Sequence, residues 1–253
     1  MSNQIVAQLL ARRSIREFTG EEVKPEDLEI IFKAAQRAPT SINGQQISLV
    51  YTRDKNKLAE IAKICGGQAH IAQADVFIAI IIDFNRTDIA VHEKDAKQII
   101  EQSAEGIMVG AVDAGIMLNA LQMAAESFGY GTTAIGAVRK FPEKITALLD
   151  LPPKTFVAVG TTIGVPSVAS KEAALKPRVP YDSFVMPEKY DSEKVKNGVL
   201  QYETDFKAFL KKNGQEGTPS YCEKVSLYYT HIYYPNTAKV MGAQGFKFTD
   251  KAL

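Results

Sequence analysis

The stretch VFIAIIID, residues 76–83, runs seven apolar, mostly β-branched side chains together before its first polar group. An alternating strand can leave one face to water, but a continuous one has no polar face to offer and must be covered on both sides. This run therefore demands a sheet sandwiched between two further layers. ISLVYT (47–52), GTTAIGAVR (131–139) and KTFVAVGTTIGVP (154–166) predict its companions, for a sheet of about four or five strands.

The covering layers are legible as helices. Ile5, Val6, Leu9 and Leu10 form one face of an opening helix that ends near Arg13. Pro25, followed by Glu26 and Asp27, marks the first turn of a second helix, where acids complement the dipole. Leu28, Ile31, Phe32 and Ala35 are its apolar stripe, and APTSINGQQ (38–46) stops it. A short helix at 55–64 leads to a turn, GGQAH (66–70). The segment from about 98 to 127 predicts a long helix, apolar around most of its circumference and so central to the core. Glu105, Asp113, Asn119 and Gln122 interrupt it, which favours protein over lipid as its surroundings. Beyond residue 166 the chain becomes irregular and proline-punctuated, with a polar amphipathic helix at about 192–212 and a tyrosine-rich tail, YYTHIYYPN (228–236). The class is α+β, divided into a core over 1–166 and an arm over 167–253 of the same domain.

Thirty basic residues against 29 acidic ones offer no general attraction to nucleic acid or an anionic membrane. Two cysteines, Cys65 and Cys222, provide no disulfide framework and match no zinc spacing. The opening MSNQIVAQLLARRS lacks the order of a secretory or transit leader, so a cytoplasmic setting without metal is expected.

Against this neutral background, local charge stands out. LARRSIREF gathers Arg12, Arg13 and Arg16 around Ser14, and LKPRVP sets Lys176 and Arg178 on either side of Pro177. Arginines at a helix C-terminus are reasonable dipole partners and nothing more. Two groups of cations, five in all, are also enough to hold a phosphate dianion. Gly129, Gly131 and Ala134 match a dinucleotide fingerprint, but helix precedes strand there, so the glycines read as the end of the long helix. His70, His92 and His231 are not spaced as ligand pairs.

RRSIREF (12–18), APTSIN (38–43), GGQAH (66–70), AIG (134–136) and LKPRVP (175–180), in that order, resemble the FMN-dependent nitroreductase superfamily, in its larger A-type branch. The resemblance covers nearly the whole chain. It implies a mostly antiparallel sheet flanked by helices, an extended C-terminal arm and a domain-swapped style of homodimer. It implies that Arg12 and Arg13, with Lys176, Pro177 and Arg178, clamp the FMN phosphate. Ser14 and Ile15 would lie along the ribityl chain or ring edge, and Arg16 near N1 and the C2 carbonyl. Gln68, Ala69 and His70 would line the ring, and the backbone of Ala134, Ile135, Gly136 and Ala137 would approach it, Gly136 offering its N–H toward N5. Ser41 and Asn43 would arrive from the partner subunit.

The activity implied is hydride transfer from NADPH, favoured over NADH, to the flavin. Two electrons then pass to a nitroaromatic, quinone or azo acceptor by a ping-pong mechanism. No catalytic side chain is implied, since the cofactor carries the chemistry. A reductase supplying free reduced flavin, or a non-catalytic flavin-binding protein, are the alternatives. Two features depart from the family pattern. The chain has Gln45-Gln46-Ile47 where relatives often have Gln-Pro-Trp, and the arm offers Lys211 and Lys212 in place of arginines for a 2′-phosphate.

Overall fold

A computed structural model describes residues 3–250. The chain forms two compact units: one reaches to Glu172 and includes the segment from Tyr234 onward, the other spans Ala173–Tyr233.

The first unit opens with α1 (Gln4–Ala11), capped by the Asn3 side chain, and α2 (Pro25–Ala35), with Pro25 in its first turn. Strand β1 (Ile47–Thr52) follows, then α3 (Lys55–Ile64) and α4 (Ala69–Gln73). Strand β2 (Val76–Asp83) leads into α5 (Phe84–His92) and the long α6 (Ala104–Ser127). Strand β3 (Gly131–Ile135), α7 (Pro142–Leu148), β4 (Thr155–Gly164) and α8 (Val168–Glu172) complete the run to the second unit. That unit holds α9 (Tyr181–Phe184), α10 (Ser192–Lys212) and α11 (Tyr221–Tyr229). Helix α12 (Thr237–Ala243) belongs again to the first.

All strand pairs are antiparallel, in the order β1-β2-β4-β3. As its composition requires, β2 is interior and buried along its length, Asp83 excepted. Its alternate residues feed two cores. Val76, Ile78 and Ile80 pack with Leu28 and Ile31 of α2 and Ala114, Met117 and Leu121 of α6. Phe77, Ala79 and Ile81 pack on the other side with Leu58 and Ile61 of α3, Ile71 of α4 and Ile145 of α7. Close approach explains Gly160: a Cβ there would stand 2.6 Å from the Phe77 ring.

Several boundaries differ from the sequence reading. The long helix starts at Ala104, not near 98, because Ser103 caps it by accepting the Gly106 N–H, after a 3-10 turn at Ile100–Gln102. It is also less central than its composition suggests. Met108 and Val112 are exposed on its outer side, while Asp113 and Gln122 are buried. By length and apolarity α6 is long enough to cross a membrane, yet two of its polar residues are hydrogen-bonded inside the protein. The strand expected over 131–139 stops at Ile135 and becomes a 3-10 turn at Gly136–Arg139. GGQAH is half turn and half helix: Ala69 already opens α4. The proline-rich stretch carries two short helices, α8 and α9, and Tyr228 and Tyr229 of the tail end α11.

Glycine sets the ends of several helices, two of them beside the site. After α6, Gly129 (φ +85°) donates to the Glu126 carbonyl at 3.0 Å while Tyr130 donates to Ala125 at 3.2 Å. After α3, Gly66 (φ +82°) and Gly67 do the same to Lys63 and Ala62, at 2.9 and 2.8 Å. Glycine takes this left-handed cap without the Cβ strain that most other residues meet there.

In the second unit the Glu203 carboxylate of α10 accepts the backbone N–H of Cys222 (2.9 Å) and pairs with Lys207 (2.9 Å). The Cys222 N–H, then Lys207, hold its carboxyl down at about 2. Tyr202 stacks edge-on with Tyr221, their centroids 4.9 Å apart, so the same two helices share an aromatic contact.

Ile80 touches the first core with no solvent exposure. Ile80→Ala should cost about 3 kcal/mol through lost burial and a residual cavity, read as a lower urea midpoint at unchanged slope.

Candidate active site

Past α1 the chain runs extended and is stitched to the end of the sheet. The Ile15 N–H donates to the Thr132 carbonyl at 2.9 Å, and the Thr133 hydroxyl donates to the Ile15 carbonyl. Phe18 then bridges Pro166, and Thr19 donates to Val165 at 2.9 Å. Gly131 and Gly164 make room for this: a Cβ on them would lie 2.6 Å from Ile15 and 2.7 Å from the Phe18 ring. Extended backbone alternates, so Ile15 is buried while Ser14 and Arg16 are exposed. The RSIR motif is thus one anchor between two outward polar groups.

The three arginines do different things. Arg12 turns to α6: its Nη2 donates to Gln122 Oε1 at 2.6 Å, and its Nε lies 3.7 Å from Glu126. Gln122 donates in turn to the Thr161 hydroxyl at 3.2 Å, and that hydroxyl to the Thr133 carbonyl at 3.2 Å. Glu126 accepts from Thr132 at 2.7 Å; burial pushes its carboxyl up, while Thr132 and Arg12 pull it down. Arg13 donates to the carbonyl of Lys171. A cleft of about 250 Å³ lies here, lined by Gln8, Arg12, Arg13, Glu126, Tyr130 and Lys171 among others. The sequence groups Arg12 with the ligand-facing cations; the structure sets its guanidinium against the helix.

Arg16 is exposed and belongs with a different group. It lies close enough to His70 to disfavour the charged imidazole, adding to a larger effect of burial, and together they lower the ring's pKa. His70 Nε2 is buried without a hydrogen-bond partner. A lone acceptor in such a place is tolerable and a lone N–H⁺ is not. Burial and the Arg16 guanidinium therefore both favour the uncharged ring. Gln68, just before α4, donates to the Cys65 carbonyl at 3.2 Å, so the glycine cap of α3 and the start of α4 together place Gln68, Ala69 and His70. On the edge strand β3, Ala134 is the exposed residue among buried ones. Ile135 is buried behind it, and Gly136 and Ala137 begin the 3-10 turn.

Ser41 and Asn43 sit in a one-turn 3-10 element on the loop before β1. Ser41 donates its N–H to Asp113 Oδ2 at 3.1 Å. Lys176, Pro177 and Arg178 belong to the second unit, where Arg178 Nη1 folds back on the carbonyls of Lys176 (3.3 Å) and Pro177 (3.2 Å). Asp113, Gln122, Thr133 and Thr161 support the site without having been singled out as site residues. Their signal was available as polar side chains inside an apolar helix and as threonines on buried strands.

The chain matches the Nitroreductase family over residues 9–165 and the Nitroreductase family, C-terminal domain, over 176–249. It is 39% identical to the FMN reductase [NAD(P)H] of Bacillus subtilis, over 97% of this chain and 98% of that protein. Among solved structures, NfrA2 of B. megaterium superposes with a TM-score of 0.94 at 37% identity, covering 98% of this chain and all of the other. The NADPH:FMN oxidoreductase of Vibrio harveyi, complexed with NAD+, gives 0.85 at 27% identity, covering 96% of this chain and 98% of that one. This chain belongs to the nitroreductase family.

A depressed histidine pKa means that folding favours the neutral ring. His70's contribution is fully present above pH 6.5 and is lost as pH falls through that value toward the folded pKa. Ring NMR titration should find the His70 midpoint below 6.5. Arg16→Ala should raise its midpoint while leaving it below 6.5, because burial, the larger cause, remains. An unmoved midpoint would place Arg16 elsewhere.

Proposed function

We propose that this chain is an FMN-containing NAD(P)H oxidoreductase that reduces flat aromatic acceptors, and that the flavin lies over the face formed by Arg16, His70 and the exposed edge of β3. The observation that carries this reading is Arg16 held on a pinned strand beside the part-buried His70, in a member of the nitroreductase family. The donor set fits such a cofactor. It has one fixed cation, uncharged polar groups in Ser14 and Gln68, and strand backbone at Ala134 open to a planar ring.

When bound, FMN accepts a hydride at N5 from the nicotinamide and delivers two electrons to the acceptor. The chain's own residues bind and polarise. Arg16 supplies positive charge where a reduced isoalloxazine becomes negative, stabilising the reduced form as an oxyanion hole does. Gly136 would offer its N–H toward the flavin, and Gln68, Ala69 and His70 would bound the ring. Arg13 would hold the phosphate, with Arg12 anchoring its segment through Gln122 and Glu126; the family resemblance adds Lys176, Pro177 and Arg178 to that role. No side chain is required as acid or base.

The active unit is a homodimer in which Ser41 and Asn43 of one subunit reach the cofactor of the other. The exposed apolar residues of α1 (Ile5, Leu10) and α6 (Met108, Val112) support that pairing. NADPH is the favoured donor, its 2′-phosphate meeting Lys211 and Lys212 in the last turn of α10. The protein is cytoplasmic, in keeping with its two free thiols. Its substrates are small molecules and not nucleic acid or lipid. Release of free reduced FMN is the second reading, favoured by similarity to a protein named FMN reductase.

The purified protein should be yellow, and anaerobic NADPH should bleach it. Arg16→Ala should remain folded yet bind FMN about tenfold more weakly, the scale of one charge-assisted contact, and bleach more slowly. Replacing Lys176 and Arg178 together should weaken FMN retention, with the largest loss at low salt, where such partly exposed contacts are least screened. Protein that stays colourless when offered FMN would sink the proposal. Comparing turnover of added FMN with that of a nitrofuran separates the two readings.

A further inference from the structure

The loop between α2 and β1 is built against the preferences of its own residues. Ile42 (φ +49°), Asn43 (φ +55°) and Gln45 (φ +53°) all lie in the left-handed region, and Gly44 between them does not. Asparagine tolerates that region; a β-branched isoleucine is a genuine outlier there. Ile42 gains nothing by burial in return, being 97% exposed at the apex of the turn. Such conformations persist where the surroundings over-determine them.

The over-determination comes from α6. Asp113, midway along that helix and 4% exposed, accepts two hydrogen bonds on one oxygen: from the Ser41 N–H at 3.1 Å and from Gln46 Nε2 at 2.5 Å. Gln46 is buried as well, and its carbonyl accepts the Asp83 N–H at the end of β2, 2.9 Å away. Its side-chain oxygen lies against Gly44, where any Cβ would collide with it. Within the turn, Thr40 Oγ1 accepts from Gln45 at 3.0 Å and the Thr40 carbonyl from Asn43 at 3.0 Å. Both ends of the strained stretch, Ser41 and Gln46, thus converge on one carboxylate. Burial pushes that carboxyl up and the Ser41 N–H pulls it down.

A fold seeking stability alone would place glycine at 42 and 45 and an apolar residue at 113, since burying a charge is expensive even when it is well bonded. The arrangement instead fixes the shape of an exposed apex. We infer that Asp113 is a positioning residue of the flavin site, latching the 40–46 turn in the strained form that presents Ser41 and Asn43 to the cofactor. This rests on the reading that those two residues meet FMN. Asp113 itself touches backbone and Gln46, never the reacting atoms.

Asp113→Leu and Asp113→Asn of the full chain separate shape from charge. The asparagine oxygen can accept both bonds, and leucine neither. In Asp113→Leu the amides of Ser41 and Gln45 should exchange hydrogen at least about tenfold faster, and the Kd for FMN, from fluorescence quenching on reconstituting apoprotein, should rise about tenfold. Asp113→Asn should rescue both to within about twofold. A position that matters merely for folding would shift the melting temperature in both variants and leave no such split. Should Asp113→Leu fail to fold, Gln46→Met removes the second bond to the same carboxylate, and it should loosen the turn and weaken FMN in the same direction. Unchanged exchange across 41–46 in the variant that folds overturns the latch. Faster exchange with unchanged FMN affinity overturns its service to the site. If the wild type does not bind FMN at all, the flavin reading fails, whereas the exchange data still decide whether Asp113 holds the turn.

Discussion

One buried polar relay holds the working face of this protein in place. Arg12 donates to Gln122, Gln122 to Thr161, and Thr161 to the carbonyl of Thr133, whose hydroxyl donates to the carbonyl of Ile15. The path begins and ends within the same four-residue stretch, having passed through α6, β4 and β3. Breaking one link strands a donor or acceptor away from water, a larger penalty than the bond's net worth. The strand carrying Ser14 and Arg16 is therefore fixed by groups that never face a ligand. Preorganised charge is useful in catalysis because it need not be moved when the reaction demands it.

The sheet provides the rest of that rigidity. Because β2 sends alternate side chains into two separate cores, no rigid rotation of the sheet can relieve strain on one side without disturbing the other. β3 sits at the edge of the order β1-β2-β4-β3, where a strand normally presents unpaired backbone. The Ile15 segment covers part of this edge, and Ala134 remains exposed beyond it. A planar ligand laid there meets backbone belonging to the most constrained part of the molecule.

The sequence reading was strongest where one periodicity or one residue dominated. ISLVYT and VFIAIIID coincide with β1 and β2, and Pro25 and Gly129 mark a helix start and a helix end where expected. It was weaker where the deciding partner is distant in sequence. GTTAIGAVR reads as one strand, yet its pairing with β4 ends at Ile135–Gly160. Arg12 and Arg13 look alike as letters. Glu126, more than a hundred residues away, decides that one of them faces inward. The motifs RRSIR, GGQAH and LKPR carried the family, because each is short, local and tied to backbone geometry. The latch at Asp113 is half legible for the opposite reason: the sequence shows an aspartate inside an apolar helix, but not the three φ angles it holds.

Helix α6 shows how one element serves both jobs. Asp113 and Gln122 are nine residues apart, which at about 100° per residue sets them about 180° apart around the axis. Between them lie the buried Ala114, Met117 and Leu121, and beyond them the exposed Met108 and Val112. The two polar residues thus border the buried stripe, one reaching the 40–46 turn and the other the Arg12 segment. A uniformly apolar stripe would bury more area and be more stable, but it would let the helix slide or rotate against the sheet at little cost. Directional bonds at both borders remove that freedom. Since Ser41 and Arg12 hang from opposite borders of one rigid cylinder, the helix fixes the spacing between the two loops more tightly than their own sequences can.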